Sequence, residues 1–132
     1  MANAKILIVD DDPDLTEALQ AILESRDYAV STAADVTVGM EKVKSEVPDL
    51  IILDVMMATW QDGFDMARGL REEPEFESTP ILMLTGVKDK TGMDFKDTVG
   101  DESWLPVDGF LDKPVESKVL LGEVERLLSK RN

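Results

Sequence analysis

The stretch 49-DLIILD-54 is the apolar segment around which the whole chain can be interpreted. Its four central residues, 50–53, are aliphatic and do not alternate with polar residues, which is typical of a strand buried on both faces of a parallel sheet. Asp54 then lies at the carboxyl end of a central strand, and open α/β sheets bind their ligands at that edge. The segment therefore predicts both a fold class and a location for chemistry.

Three further strand-like runs also end beside side chains that could take part in chemistry. The runs and the residues that follow them are 5–9 with Asp10, Asp11 and Asp12, 81–84 with Thr85, and 109–112 with Lys113. The carboxyl ends of parallel strands meet at one edge of a sheet. We therefore expect three acids, a hydroxyl group and a lysine to converge there.

The segments between these runs have mostly helical spacing, so strands and helices should alternate five times. The predicted helices are 13 to about 26 (with Asp12 as N-cap), 36–47 (capped by Asp35 and stopped by Pro48), 64–72 (Met66, Ala67 and Leu70 inward) and 115–130 (Val119, Leu120, Val124, Leu127 and Leu128 inward). The remaining predictions are a strand at 28–32, a loop at 55–63, and a poorly patterned segment at 87–107 with one short helix near 93–99. This alternation predicts a parallel sheet with right-handed crossovers and helices on both faces.

Composition narrows the function. The chain has 132 residues, no cysteine, no histidine and a net charge of -14. We expect one domain, with residues 1–4 as a short leader and a cytoplasmic location. Without His or Cys, a zinc or copper site is not expected, and a bound metal would be held by oxygen atoms. The negative charge argues against binding to nucleic acid or to an anionic membrane, because phosphate contacts need clustered Lys and Arg.

The acidic run at 10–12 allows two interpretations. One Asp could cap the following helix while the others are solvated. Alternatively, Asp10 and Asp11 could face Asp54 and hold a hard cation. Two carboxylates about 4 Å apart repel by a few kcal/mol at an effective dielectric constant near 20, so such a cluster needs a cation or a lysine such as Lys113 to offset it.

Taken in order, these motifs resemble the receiver domain of two-component response regulators. The stretches that carry the resemblance are 6-ILIVDDDP-13, 49-DLIILDVMM-57, 62-DGF-64, 80-PILMLTG-86 and 109-GFLDKPV-115. The resemblance implies a flavodoxin-like (βα)5 three-layer sandwich with a five-stranded parallel sheet in the order 2-1-3-4-5. It also implies that 1–132 is a single receiver domain, with a lengthened segment at 87–107 and no output domain in this chain.

The resemblance implies a role for each motif residue. It makes Asp54 the phosphoryl acceptor. The other implied roles are Mg²⁺ ligation by Asp10, Asp11, Asp54 and the backbone carbonyl of Met56, contact with the phosphoryl oxygens by Thr85 and Lys113, and a conformational switch formed by Thr85 and Phe110. Mn²⁺ could replace Mg²⁺.

The implied partners are a phosphohistidine donor and a downstream protein whose identity the sequence does not reveal. The donor would be a sensor histidine kinase or a histidine phosphotransfer protein, since the chain has no histidine of its own. The chain would not be an enzyme beyond catalysing its own phosphorylation and dephosphorylation.

Two departures from the family pattern lie beside the site. Ala58 stands where a proline is usual, with a longer loop through 59–61, and 27 residues separate Thr85 from Lys113. They leave the implied chemistry intact and affect the partner surface and the dephosphorylation rate. Two alternatives to a phosphorylated receiver are also open. One is a receiver-like module that binds a partner without phosphorylation. The other is a haloacid-dehalogenase-like phosphatase built on Asp10 and Asp12, which would leave Asp54 unexplained.

Overall fold

The computed structural model describes residues 4–54, 60–76, 79–85, 108–112 and 116–130, with the backbone alone at 60–64, 85, 110, 112 and 130. Its elements are β1 (Lys5–Val9), α1 (Pro13–Glu24), β2 (Ala29–Ala33), α2 (Val36–Glu46), β3 (Leu50–Asp54), α3 (Trp60–Glu72), β4 (Ile81–Thr85), β5 (Gly109–Asp112) and α4 (Ser117–Lys130). The segment at 87–107 and its predicted short helix lie outside these residues.

The sheet has five parallel strands in the order β2-β1-β3-β4-β5, which confirms the order implied by the family resemblance. In the register of the three central strands, Val9 pairs with Leu53, and Asp54 pairs with Leu84. The carboxyl ends of β1, β3 and β4 therefore reach the same edge, as the sequence predicted.

Two hydrophobic clusters cover the two faces of the sheet, because alternate residues of β1 and β3 point to opposite sides. On one face, β1 and β3 pack against α2 and α3; on the other, they pack against α1 and α4. The buried helical residues are Val43, Met66, Ala67 and Leu70 on the first face, and Leu19, Leu23, Leu120, Val124 and Leu127 on the second. The prediction of helices on both faces is confirmed.

The predicted helix caps are present. The Asp12 carboxylate accepts hydrogen bonds from the backbone N–H groups of Asp14 and Leu15, at 3.0 and 3.3 Å, and Pro13 occupies the first turn. Asp35 caps α2 in the same way. These side chains satisfy N–H groups that have no partner inside the helix, so the chain turns sharply from β1 into α1.

Helix α3 begins at Trp60, so the prediction of a loop through Gly63 was wrong for its last four residues. The polar residues and the glycine at 61–63 suggested a loop. However, a glycine inside a helix costs only about 1 kcal/mol relative to alanine, whereas the same helix buries three apolar side chains further along. Tertiary packing outweighs the local preference.

Two smaller predictions also need correction. Val119 was placed on the buried stripe of the last helix, but it is 47% exposed. Leu120, Val124 and Leu127 form the inward face of this helix. Because successive helical residues are rotated by about 100°, Val119 points away from that face. Strand β2 begins and ends one residue later than predicted, at Ala29 and Ala33.

No helix in the described part of the chain is both long and apolar enough to span a bilayer.

Candidate carboxylate site at the sheet edge

Strand β3 carries Asp54 to the edge of the sheet. The four residues before it are fully buried, and Asp54 itself is only 2% exposed. As the last residue of β3 it pairs with Leu84 of β4. The packing of the strand therefore fixes the position of this carboxylate.

Asp10 reaches the same edge from β1. Its N–H group donates to the carbonyl of Ala33 at 3.0 Å, which continues the pairing of β1 with β2 one residue past the strand. Its Oδ1 accepts the backbone N–H of Asp12 at 2.9 Å. Asp10 is 3% exposed, so its carboxylate is buried where the chain turns into α1.

Asp10, Asp11 and Asp54 form one cluster. A carboxylate oxygen from each residue lies within 4.8 Å of those of the other two. Asp10 and Asp54 are buried, whereas Asp11 is exposed. Because two of the three charges are largely removed from water, a cation between them would relieve a repulsion of about 3 kcal/mol per pair at an effective dielectric constant of 20.

The structure assigns different tasks to the three consecutive acids. Asp12 caps α1, as the first interpretation of this run predicts, while Asp10 and Asp11 gather beside Asp54, as the second predicts; that they hold a cation stays a prediction. Carboxylate oxygens are the ligands that Mg²⁺, Mn²⁺ and Ca²⁺ prefer. The cluster is therefore chemically suited to a hard divalent cation.

A groove of about 500 Å³ opens beside the cluster. Asp10 and Asp11 line it together with one side of α1, including Thr16 and Glu17, and with residues at the end of β2. The groove therefore borders two of the three acids of the cluster on the side of α1.

The other predicted site residues are placed less completely. Thr85 ends β4, and its backbone pairs with Asp112 at the same edge as Asp54. Phe110 lies in β5, and its backbone pairs with Met83 of β4. The side chains of Thr85 and Phe110, and all of Met56 and Lys113, lie outside the described residues.

The sequence profile of the response regulator receiver domain matches residues 6–125. This chain belongs to that family. The receiver domain is the phosphorylation-controlled part of two-component response regulators, and it is not an enzyme in the ordinary sense. Receivers bind Mg²⁺ through acidic residues, and Asp10, Asp11 and Asp54 form an acidic cluster in this chain.

Individual relatives agree with this assignment. The receiver is 37% identical over 126 residues to the alkaline phosphatase synthesis transcriptional regulatory protein PhoP of Bacillus subtilis, covering 96% of this chain and 49% of PhoP. It is 35% identical over 127 residues to response regulator Rre1 of Synechocystis, covering 96% of this chain and 52% of Rre1. The receiver thus spans about half the length of these curated relatives.

A solved structure gives the same result for the fold. The chemotaxis protein CheY4 of Vibrio cholerae superimposes on the receiver with a TM-score of 0.82 and 30% sequence identity, covering 96% of this chain and 99% of CheY4. The flavodoxin-like fold is therefore confirmed.

Proposed function

We propose that this receiver accepts a phosphoryl group on Asp54 from a phosphohistidine and that the modified domain changes its affinity for a downstream protein. The observation that carries the proposal is the convergence of the Asp10, Asp11 and Asp54 carboxylate oxygens within 4.8 Å of one another at the edge of the sheet. Asp54 is the central member in the sheet, because it ends β3, the third of the five strands in spatial order.

The proposed metal ligands are Asp10, Asp11, Asp54 and the backbone carbonyl of Met56. A bound Mg²⁺ or Mn²⁺ ion would neutralise charge on the incoming phosphoryl group and orient it for in-line attack. The buried carboxylates of Asp10 and Asp54 support this assignment, since two like charges in one buried site favour a cation between them.

In the proposed transfer, a carboxylate oxygen of Asp54 attacks the phosphorus atom. A P–O bond forms to Asp54, the P–N bond of the donor breaks, and its electron pair returns to the imidazole nitrogen, which then takes a proton from water. The Thr85 hydroxyl would donate to a phosphoryl oxygen and the Lys113 ammonium would pair with another. Hydrolysis of the aspartyl phosphate by water would return Asp54 and inorganic phosphate.

The donor histidine must belong to another protein, since this chain contains none. The proposed donor is a sensor histidine kinase or a histidine phosphotransfer protein, and the proposed setting is the cytoplasm, where ATP recharges such donors. With a net charge of -14, the receiver itself is not proposed to touch nucleic acid or membrane.

The proposed switch follows from the charge of the modification. An aspartyl phosphate carries more negative charge than a carboxylate and presents three acceptor oxygens. Movement of Thr85 toward those oxygens would vacate space that Phe110 could fill. The surface formed by β5 and α4 would then change, which is how a partner would sense phosphorylation.

Intact-mass spectrometry tests the proposal directly. The receiver is incubated with Mg²⁺ and a small-molecule phosphodonor, beside an Asp54→Asn variant and a sample in EDTA. We expect one added phosphoryl group in the first sample and none in the other two. An adduct that persists in Asp54→Asn would show that another residue is the acceptor.

Rapid hydrolysis could remove the adduct before detection, so binding of beryllofluoride with Mg²⁺ is measured by calorimetry on the same proteins. Binding that requires both Mg²⁺ and Asp54 supports the proposed site. Failure of both measurements would favour a module that binds its partner without phosphorylation.

A further inference from the structure

Asp108 forms a junction at the edge of the sheet opposite the carboxylate cluster. It immediately precedes β5, its N–H group donates to the carbonyl of Ile81 at 3.0 Å, and its Oδ2 accepts the N–H of Ile81 at 2.9 Å. One residue thus makes both hydrogen bonds with the first residue of β4. This pair of hydrogen bonds fixes the position at which β5 begins beside β4.

Arg71 extends this junction to α3. Its Nη2 pairs with Oδ2 of Asp108, and its Nη1 donates to the carbonyls of Thr79 at 2.6 Å and Phe76 at 3.2 Å. Phe76 and Thr79 are 1% and 3% exposed. One guanidinium group, with its planar set of donors, therefore joins the last turn of α3, the chain leading to β4 and the start of β5.

Helix α4 reaches the same point. Arg126 donates through Nη2 to the carbonyl of Asp108 at 3.4 Å and to Glu123 at 2.8 Å. A Cβ atom at position 109 would lie only 3.0 Å from both Arg126 Nη2 and Glu123 Oε2. Gly109 therefore allows the side chains of α4 to lie directly over the beginning of β5.

β5 is held to the sheet from one side only. It has four residues and forms the edge of the sheet, with β4 as its only neighbouring strand among the described residues. Its other end leads toward the proposed site, where Asp112 pairs with Thr85. A movement at that end can be carried to α4 only if the start of the strand stays attached.

We propose that Asp108 is a positioning residue, which with Arg71 anchors the start of β5 so that β5 and α4 respond as one body to a phosphoryl group on Asp54. The inference rests on the proposed function. It adds that β5 transmits the response to α4, and that β5 is anchored by Asp108 at the edge of the sheet opposite Asp54.

Asp49 supplies a matched control. It immediately precedes β3, its N–H donates to the carbonyl of Lys5 at 2.7 Å, and its Oδ2 accepts the N–H of Lys5 at 2.8 Å. This pair of hydrogen bonds has the same form as the pair made by Asp108, but it joins β3 to β1. Asp49→Asn therefore makes the same chemical change at the same edge, outside the β5–α4 unit.

The test measures amide hydrogen exchange with and without beryllofluoride and Mg²⁺ in the wild type, Asp108→Asn and Asp49→Asn. Asparagine keeps an oxygen that can accept the strand N–H but loses the ion pair with Arg71. In the wild type and in Asp49→Asn, we expect the mimic to change exchange in both 109–112 and 118–128. In Asp108→Asn, most of the change in 118–128 should be lost.

Magnesium affinity, measured by calorimetry, separates positioning from general damage. It should stay within about twofold of the wild type in Asp108→Asn, because the carboxylate cluster lies on β1 and β3 and a distant, independent site adds little. Arg71→Gln provides a second variant with the same expected loss in 118–128, in case Asp108→Asn does not fold. Arg71→Lys, which keeps the charge, should recover part of the response.

Each outcome addresses a separate step. A wild-type response that survives in Asp108→Asn and in Arg71→Gln would overturn the positioning role and leave the proposed function intact. Equal loss of the response in Asp49→Asn would also overturn it, because the effect would then follow from any weakened strand start. Failure of the wild type to bind beryllofluoride, together with the absence of a phosphoryl adduct on Asp54, would overturn the proposed function and this inference with it.

Discussion

Replacing Asp11 with asparagine should raise the stability of the metal-free receiver and lower its affinity for Mg²⁺. Asp11 is the exposed member of the cluster, whereas Asp10 and Asp54 are buried. The substitution therefore removes one charge from the site without opening a cavity in the core. It tests the repulsion among the carboxylates almost in isolation.

The distances set the size of the effect. Unit charges 4.8 Å apart interact by about 3 kcal/mol at an effective dielectric constant of 20. Water and salt screen the exposed Asp11, which reduces the net relief to about 1 kcal/mol. For a domain of 132 residues this corresponds to a rise in Tm of about 4 °C in EDTA.

Magnesium should reverse the order of stability. Loss of one charged ligand should weaken Mg²⁺ binding by about tenfold or more, and at saturating Mg²⁺ a tenfold difference in Kd is worth about 1.4 kcal/mol of stability. That exceeds the relief of about 1 kcal/mol from removed repulsion. The variant should melt higher in EDTA, and the wild type should melt higher in saturating Mg²⁺.

Thermal unfolding followed by circular dichroism, in EDTA and across a Mg²⁺ titration, measures both effects. Glu41→Gln is the control, because Glu41 is exposed on α2 and its removal changes the net charge equally. A Tm in EDTA that falls in Asp11→Asn would refute the repulsion among the carboxylates. An unchanged Mg²⁺ affinity would remove Asp11 from the metal ligands.

Three further predictions concern the scaffold. Gly39→Ala should destabilise the receiver by roughly 1 kcal/mol, because the added Cβ would lie 3.1 Å from a side-chain carbon of β1. Gly69→Ala should instead stabilise α3 by about 1 kcal/mol, because the added Cβ would meet no described atom within 4 Å apart from its own stretch of helix. Chemical denaturation measures both. Val47 is the C-cap of α2 and has a left-handed backbone, with φ of 48°. Because asparagine tolerates this conformation better than valine, Val47→Asn should raise the free energy of unfolding by about 0.5–1 kcal/mol. Unchanged stability would argue against backbone strain at this C-cap. The hydrogen bond from Arg126 lowers the pKa of Glu123 below its usual value of 4.5. This pair therefore stabilises the fold above that pH, and its contribution disappears as the pH falls through the lowered pKa. Glu123→Gln should make the loss of stability at acidic pH less steep, and an unaltered loss would contradict the assignment.

The alternation of strands and helices could be predicted because its signal is local and repeated, whereas the order of the strands in the sheet was implied by the family resemblance alone. Residues 50–53 are uniformly aliphatic and end in Asp54, and the structure buries all of them in the centre of the sheet. The start of α3 could not be predicted, because Gly63 and its polar neighbours favour a loop locally while the packing of Met66 and Leu70 further along decides the outcome. Propensity alone does not contain that information.

The candidate site was predictable to a similar depth. A run of three acids after a strand shows that carboxylates gather at the edge, but only the three-dimensional arrangement separates the capping Asp12 from Asp10 and Asp11. The junction at Asp108 escaped prediction, because Arg71 lies 37 residues away in the sequence. The available clue was that Asp49 and Asp108 each stand directly before a strand, and its meaning depends on the pairing register.

Aspartate side chains lie at both edges of the sheet, but their surroundings differ. At the edge where the strands begin, the carboxylates of Asp49 and Asp108 each accept a backbone N–H, and Arg71 supplies a positive charge to Asp108. At the other edge, Asp10 and Asp54 are buried within 4.8 Å of each other's oxygens. A cation or an added phosphoryl group changes the charge at this second edge, so its first effect falls on the carboxyl ends of the strands. Since the hydrogen bonds of Asp49 and Asp108 hold the first residues of the strands together at the other edge, a change in charge at Asp54 should move the carboxyl ends of the strands while their beginnings stay anchored.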